Sequence, residues 1–235
     1  MRTTTRNSAF WRGARDGAPF LLVIVPFAVL FGVVATEAGL SIAETMGFTV
    51  LVIAGAAQFT AVQLLSENAP VWVVLATSLA VNLRMAMYSA ALTPHLGAAP
   101  LWQRALVAYF NVDQSFATAS LQYEREPEMP VASKVAYFLG TVSHIAPMWY
   151  LFTWLGGVAG AAIPPGFALD FALPITFLAL VAPALRTLAH AAAALVAVTV
   201  ALLAAGLPPG SGILLAGVFG MLAGAEVERR RGLGR

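Results

Sequence analysis

The 235-residue chain is 60% hydrophobic and only 10% charged, with a mean hydropathy of +0.82. A soluble domain carries about 25% charged residues, so the composition excludes a water-soluble globule and indicates an integral membrane protein. The net charge of +2 arises from arginines at both ends (Arg2, Arg6, Arg12 and Arg15; Arg229, Arg230, Arg231 and Arg235) and carries no signal for nucleic acid, while the absence of cysteine removes disulfides, thiolate metal sites and cysteine nucleophiles.

Cutting the chain at proline, glycine and charge clusters leaves eight apolar segments: 17–38, 45–65, 70–93, 103–122, 133–158, 168–184, 187–205 and 210–226. Each is close to the roughly 20 residues that span hydrocarbon. The predicted fold is an all-α polytopic bundle of about eight transmembrane helices, with seven as the alternative. It forms a single transmembrane domain over 1–235, with basic cytoplasmic tails at 1–16 and 227–235 around a bundle at 17–226. The first segment has no small-residue cleavage pattern and runs into glycine-rich sequence, so it reads as a retained span. The fourth is interrupted by Asn111, Asp113, Gln114 and Ser115, so it reads as a half-helix or a span buried among others. Pro19, Pro26, Pro147, Pro174 and Pro183 are expected to break their helices, and broken helices are how transporters build midplane sites. Gly156-Gly157-x-x-Gly160 and Gly217-x-x-Gly220-x-x-x-Gly224 suit close helix contact. A weak echo joins the two halves, each with a proline- or glycine-rich first helix and a polar second one.

Eight spans place both tails and the 123–134 and 184–187 connections on one side. That side then holds eleven of the thirteen basic residues, leaving Arg84 within the membrane and Arg104 at a segment start. Basic connections stay cytoplasmic, so both termini are expected inside the cytoplasmic membrane of a bacterium.

Three polar constellations interrupt the apolar sequence. Asn82-Leu83-Arg84 follows an apolar run from Val71 to Val81. A central arginine costs about 3 kcal/mol on insertion scales, against a return of about 0.3 to 0.6 from each leucine, isoleucine or valine. A charge kept at that cost faces a partner, a cavity or a substrate. Gly55-Ala56-Ala57-Gln58-Phe59 offers close backbone approach and an amide that donates and accepts, suited either to a ligand or to a tight helix crossing. Asn111-Val112-Asp113-Gln114-Ser115-Phe116 holds the one carboxylate well inside an apolar segment. Asp113 suits an ion pair with Arg84, a substrate ammonium or a coupled proton. His144, between Ser143 and Pro147, reads as a core histidine or a proton relay at an unwound turn. His95 and His190 read as interfacial or packing residues, and three scattered histidines make no metal site. Lys134 follows no glycine-rich phosphate loop, and no hydrolase motif is present, so neither ATP hydrolysis nor enzyme chemistry is expected.

The ordered motifs Ala54-Gly55-Ala56-Ala57-Gln58-Phe59, Val81-Asn82-Leu83-Arg84 and Asp113-Gln114-Ser115-Phe116 closely resemble those of the AzlC family, the large subunits of branched-chain amino acid exporters of the LIV-E type. The opening Gly17-Ala18-Pro19 to Phe31-Gly32 stretch and the late Leu207-Pro208-Pro209-Gly210-Ser211-Gly212 turn match as well. The resemblance implies a secondary transporter that exports leucine, isoleucine and valine, with methionine as a further candidate substrate, together with a small four-span AzlD-like membrane subunit. Two positions depart from the family pattern: Met85 stands where a histidine is frequent, and Gln114 where a second carboxylate is frequent.

The substrate-binding candidates are thus Gly55, Gln58, Asn82, Arg84, Asp113, Gln114 and Ser115, with Asp113 and His144 as proton-coupling candidates. The expectation is proton-coupled export without cofactor, metal or nucleic acid. An uncoupled channel for small zwitterions and a structural membrane subunit are the alternatives.

Overall fold

The computed structural model describes residues 5–162, 185, 187–207 and 211–232, and every regular element among them is a helix. They are α1 (Arg6–Gly17), α2 (Leu21–Glu37), α3 (Ile42–Leu51), α4 (Gly55–Ser66), α5 (Val71–Leu96), α6 (Leu101–Tyr109), α7 (Asp113–Arg125), α8 (Val131–Ala161), α9 (Leu188–Leu203) and α10 (Ser211–Gly232). The sixth apolar segment, with Pro174 and Pro183, lies outside the described residues, as do Arg186 and Pro208 to Gly210. By compactness the chain divides into residues 1–58 with 82–163, and residues 59–81 with 164–235.

In the first unit α1 and α2 form a nearly continuous rod joined by a 3-10 turn at Ala18–Phe20, where Pro19 occupies a first-turn position that wants no N–H. The segment expected to be a basic tail is therefore helical from Arg6. It buries Ala9, Gly13, Ala14 and Gly17. The rod lies along α8 in the same direction: Gly13 meets Tyr137, Gly17 meets Thr141, Phe27 meets Trp149 and Gly32 meets Thr153. The approach is main chain to main chain. A methyl group on Gly32 would overlap the carbonyl of Thr153, and one on Gly156 the carbonyl of Val29. This is the close packing expected of the Gly156–Gly160 motif.

Pro26 and Pro147 sit inside uninterrupted helices, contrary to expectation. Each proline removes one backbone bond, a loss that neighbouring helices and side chains offset within a membrane protein. The unwound turn expected at His144 is absent for the same reason, since α8 is helical from Val131 to Ala161.

The breaks fall elsewhere, in two segments without proline. Between α3 and α4, residues 52–54 leave the helix, and Gln58 Nε2 donates to Thr49 Oγ1 at 3.0 Å. Nine helical residues would separate those positions by about 13.5 Å along one axis, so the chain doubles back. The second break separates α6 from α7. Arg84 meets Asp113, Tyr88 stacks on Phe116 at 4.2 Å, and His95 lies 5.2 Å from Tyr123. The partners' numbers stay 28 or 29 apart, so α7 runs parallel to this half of α5. The order reverses for α6, where Asn111 bonds Ser89 and Arg104 faces Gly97 and Thr93. The fourth segment is thus a re-entrant helical hairpin whose two arms start and finish at one end of the unit. The expected half-helix is present, and a single crossing is not.

The two hairpins enter from opposite ends. Leu92, Leu96 and Ala99 share a core with Ala9, Tyr123, Met129 and Tyr137, which puts the α6–α7 base beside the starts of α1 and α8. Ile42, at the start of α3, touches Gly157 near the end of α8. The first of these ends is basic. Arg12 grips Glu126 bidentately at 2.7 and 3.0 Å and holds its carboxyl below the usual range. Lys134, 7% exposed, donates to the Pro127 carbonyl and faces the Tyr123 ring. The hairpin also explains Arg104, which no longer stands apart from the other basic residues.

Three described helical stretches are long and apolar enough to cross a membrane: Arg6–Glu37, Val71–Leu96 and Ser211–Gly232. The all-α membrane class is borne out, but two of the eight segments are hairpins. The geometry makes a direct prediction for single cysteines in this cysteine-free chain. One at Gly97 and one at Glu128 should react with an impermeant maleimide from the same face of a sealed vesicle. Labelling from opposite faces would restore a crossing fourth helix.

In the second unit α9 and α10 pack antiparallel through Gly220 against Ala193 and Ala197 and Gly224 against Ala189 and Ala193. Among the described residues nothing stands against Gly217, which takes no part in this contact.

Candidate functional site

Two of the three polar motifs sit at the hairpin tips, and the third, Asn82-Leu83-Arg84, lies within α5. At the first, Gly55 opens α4, and a side chain there would run into the rings of Phe27 and Trp149. What the small residue admits is thus aromatic packing. Gln58 is fully buried and clamps the two arms through Thr49, which matches the tight-crossing alternative. Its Oε1, Thr45 Oγ1 and Trp149 Nε1 are buried without hydrogen-bond partners among the described residues.

At the second tip, residues 111 and 112 separate two helices and leave the first turn of α7 to Asp113, Gln114 and Ser115. Ser115 is fully buried. Its hydroxyl accepts from the Val112 N–H at 3.0 Å and lies within bonding distance of the Phe110 and Val112 carbonyls. It caps the helix, so its expected place on a substrate surface gives way to a structural one. Valine at the N-cap has no acceptor of its own, and Ser115 supplies the reciprocal half of a capping box. The Gln114 carbonyl accepts from Thr118, and its side chain makes no hydrogen bond among the described residues.

Asp113 is the first residue of α7, where the helix dipole favours a carboxylate. Its Oδ2 accepts from Arg84 Nη1 at 2.6 Å. This single contact realises the ion pair considered from sequence, but it uses little of either group. Arg84 Nε and Asp113 Oδ1 are both buried without hydrogen-bond partners among the described residues. The pair is not sealed in, its side chains being 31% and 43% exposed. Asn82 Oδ1, two residues before Arg84 on α5, is a buried acceptor without a donor among the described residues. Such atoms are costly in isolation, about 1 to 3 kcal/mol each. Tyr88, stacked on Phe116, brings its hydroxyl to the Asp113 carboxylate as well.

Sequence reasoning missed the tie between the two tips. Tyr109, the last residue of α6, donates its hydroxyl to the Val50 carbonyl at 2.5 Å, and its oxygen lies 2.9 Å from that of Tyr150. A tyrosine in an apolar segment gives no signal of such a role. His144 is not drawn in: its hydrogen bond among the described residues runs to Ser143 at 3.0 Å. Among the described residues no cluster of histidine and carboxylates suits a metal ion.

The family's sequence profile, described as AzlC protein, matches residues 19–163, a stretch that contains both hairpins and α8. The chain belongs to the AzlC family. Its AzlC relatives include "Inner membrane protein YgaZ" of Escherichia coli (strain K12), 26% identical over 178 residues that cover 73% of this chain and 71% of the relative. An "Uncharacterized membrane protein" of Archaeoglobus fulgidus is 28% identical over 190 residues, 79% of this chain and 80% of that one. No solved structure matches. Both names place these AzlC relatives in membranes, consistent with the apolar helices seen here, and the profile lies over the residues that build the two tips.

Proposed function

We propose that this AzlC protein is a secondary transporter that exports the branched-chain amino acids leucine, isoleucine and valine, and with them methionine, across the cytoplasmic membrane, with both termini cytoplasmic. The observation that carries the reading is the Arg84–Asp113 pair, joined by one hydrogen bond at a re-entrant tip while each group keeps an unused buried atom. A zwitterion fits between such partners. Its carboxylate takes the open edge of the guanidinium, and its ammonium takes Asp113 Oδ1 and Asn82 Oδ1. The aliphatic side chain then meets the aromatic and aliphatic walls. Such walls discriminate weakly, by about 1 to 3 kcal/mol per methylene, so the four substrates overlap. Paired half-helices entering from opposite ends are the arrangement in which transporters hold solutes at mid-membrane.

Asp113 is the proton-coupling residue in this reading. Gly55, Gln58 and Ser115 hold the tips in shape, Gln114 borders the site, and His144 stands aside as a second titrating group. The basic end, with Arg12, Arg104, Arg125 and Lys134, faces the cytoplasm. A small four-span AzlD-like subunit covers part of the apolar surface. The chain works without cofactor and is not an enzyme.

Reconstituted protein tests the reading. Vesicles loaded with unlabelled leucine should accumulate labelled leucine by counterflow, and a proton gradient should change the rate of net flux. Counterflow that is absent with and without the small subunit would remove the transporter assignment. Flux indifferent to the gradient would favour a facilitator.

A further inference from the structure

The seam between α6 and the C-terminal half of α5 is not closed. Ser89, Leu92, Thr93 and Leu96 fall on one face of α5, and Arg104, Val107 and Ala108 on one face of α6. Between the two faces runs an open groove of about 190 Å³, smaller than the roughly 300 Å³ or more of a drug-sized pocket. It follows α5 for seven residues, about 10 Å. Leu92, Leu96 and Val107, all buried, form its floor, and the small Ala108 and Gly97 leave the space above them. The polar groups along it are spent on one another: Thr93 donates to the Ser89 carbonyl at 2.9 Å, and Asn111, at the hairpin tip, donates to Ser89 Oγ at 3.3 Å. The other end is cationic. Arg104 is exposed there and makes no ion pair among the described residues. That end lies at a membrane surface. Trp102, two residues before Arg104, is 63% exposed, and Trp11 of α1, at the same end, is 64% exposed, as tryptophans of an interfacial belt are.

We infer that this groove seats an anionic phospholipid of the cytoplasmic leaflet, with its phosphodiester on Arg104 and one acyl chain laid between α5 and α6 toward the tip. The leaflet follows from the orientation proposed above, and the site itself is independent of what the protein exports. A hollow that faces hydrocarbon is filled by hydrocarbon, and a chain that enters it gains the packing contacts that a void forfeits. The head is chosen by charge. A single unpaired cation at the membrane surface suits one phosphodiester anion. An ethanolamine head brings a second cation, and no carboxylate lines the groove to receive it. A lipid so placed braces α6, whose one buried residue is Val107, against α5 at the base of the hairpin that carries the ion pair at its tip.

The test is retention of lipid by the purified full chain in dodecyl maltoside micelles, titrated with phosphatidylglycerol or phosphatidylethanolamine and counted by native mass spectrometry. Wild type should retain phosphatidylglycerol in preference to phosphatidylethanolamine by about fivefold, the worth of one basic side chain at an anionic surface. Arg104→Glu should lose that preference, and Arg104→Lys, still a point charge for phosphate, should keep it. Should Arg104→Glu not fold, Arg104→Gln removes the charge alone and is read in the same way. Ala108→Trp fills the groove from an exposed position and leaves Arg104 in place, so it should lower retention of both lipids. Equal retention of the two lipids by wild type overturns the inference, as does a preference that survives loss of the Arg104 charge. Undiminished retention in Ala108→Trp overturns the acyl-chain seat. Displacement of the lipid by inorganic phosphate would reassign Arg104 to a free anion, and displacement by the small subunit would give the groove to a protein helix; either result overturns the proposal. Lipid retention is read without transport, so failure here leaves the export reading intact.

Discussion

Arg84→Ala is expected to abolish leucine efflux, and Arg84→Lys to lower it at least tenfold, with both proteins present in the membrane at near wild-type abundance. Lysine keeps the charge but loses the fork. In the folded protein Nη1 is committed to Asp113 while Nε is buried without a partner among the described residues, and a carboxylate gripped there would gain a charge-assisted bond of about 1.5 to 3 kcal/mol. At about 1.4 kcal/mol per tenfold, that bond corresponds to a loss of one to two orders of magnitude. Initial efflux rates normalised to immunoblotted protein provide the measurement. Wild-type efflux by the lysine variant would reduce Arg84 to a point charge and remove the bidentate grip from the mechanism.

Asp113→Asn separates coupling from folding. If Asp113 carries the coupled proton, the variant exchanges leucine at a rate close to wild type but no longer responds to a proton gradient. If the pair is only a brace, the variant strands Arg84 and the protein disappears from the membrane. Breaking a fully buried pair from one side costs about 3 to 5 kcal/mol. Side chains 31% and 43% exposed place this pair below that range, so abundance is expected to hold while the gradient response is lost. Counterflow, gradient-driven efflux and abundance measured on one preparation decide the matter. A stable variant with undiminished gradient response would exclude Asp113 as the coupling group and turn attention to His144.

The membrane class followed from composition because so few charges leave no soluble surface to build. The second tip was legible too, since Asn111, Asp113, Gln114 and Ser115 interrupt an apolar run where lipid would not tolerate them. The first tip was not. Val52-Ile53-Ala54 is as apolar as the helices it separates, and its turn depends on contacts made by Gln58 with Thr49 and by Gly55 with Phe27 and Trp149. Proline misled in the opposite direction, because Pro26 and Pro147 are absorbed by helices packed against one another over their full length. Ser115 looked like part of a binding motif because a hydroxyl beside a carboxylate suits substrate as well as it suits a cap. Only its position three residues into α7, with the Val112 N–H in reach, decides between the two.

The tie between the hairpin tips has an evolutionary consequence. Tyr109 bonds the main-chain oxygen of residue 50, an atom that every amino acid supplies. Position 50 is therefore free to vary among related chains without disturbing the contact, while position 109 is held by its hydroxyl. The two residues touch yet should show no correlated substitution, so a contact that joins the two halves of the site leaves its trace in one column of an alignment and none in the other.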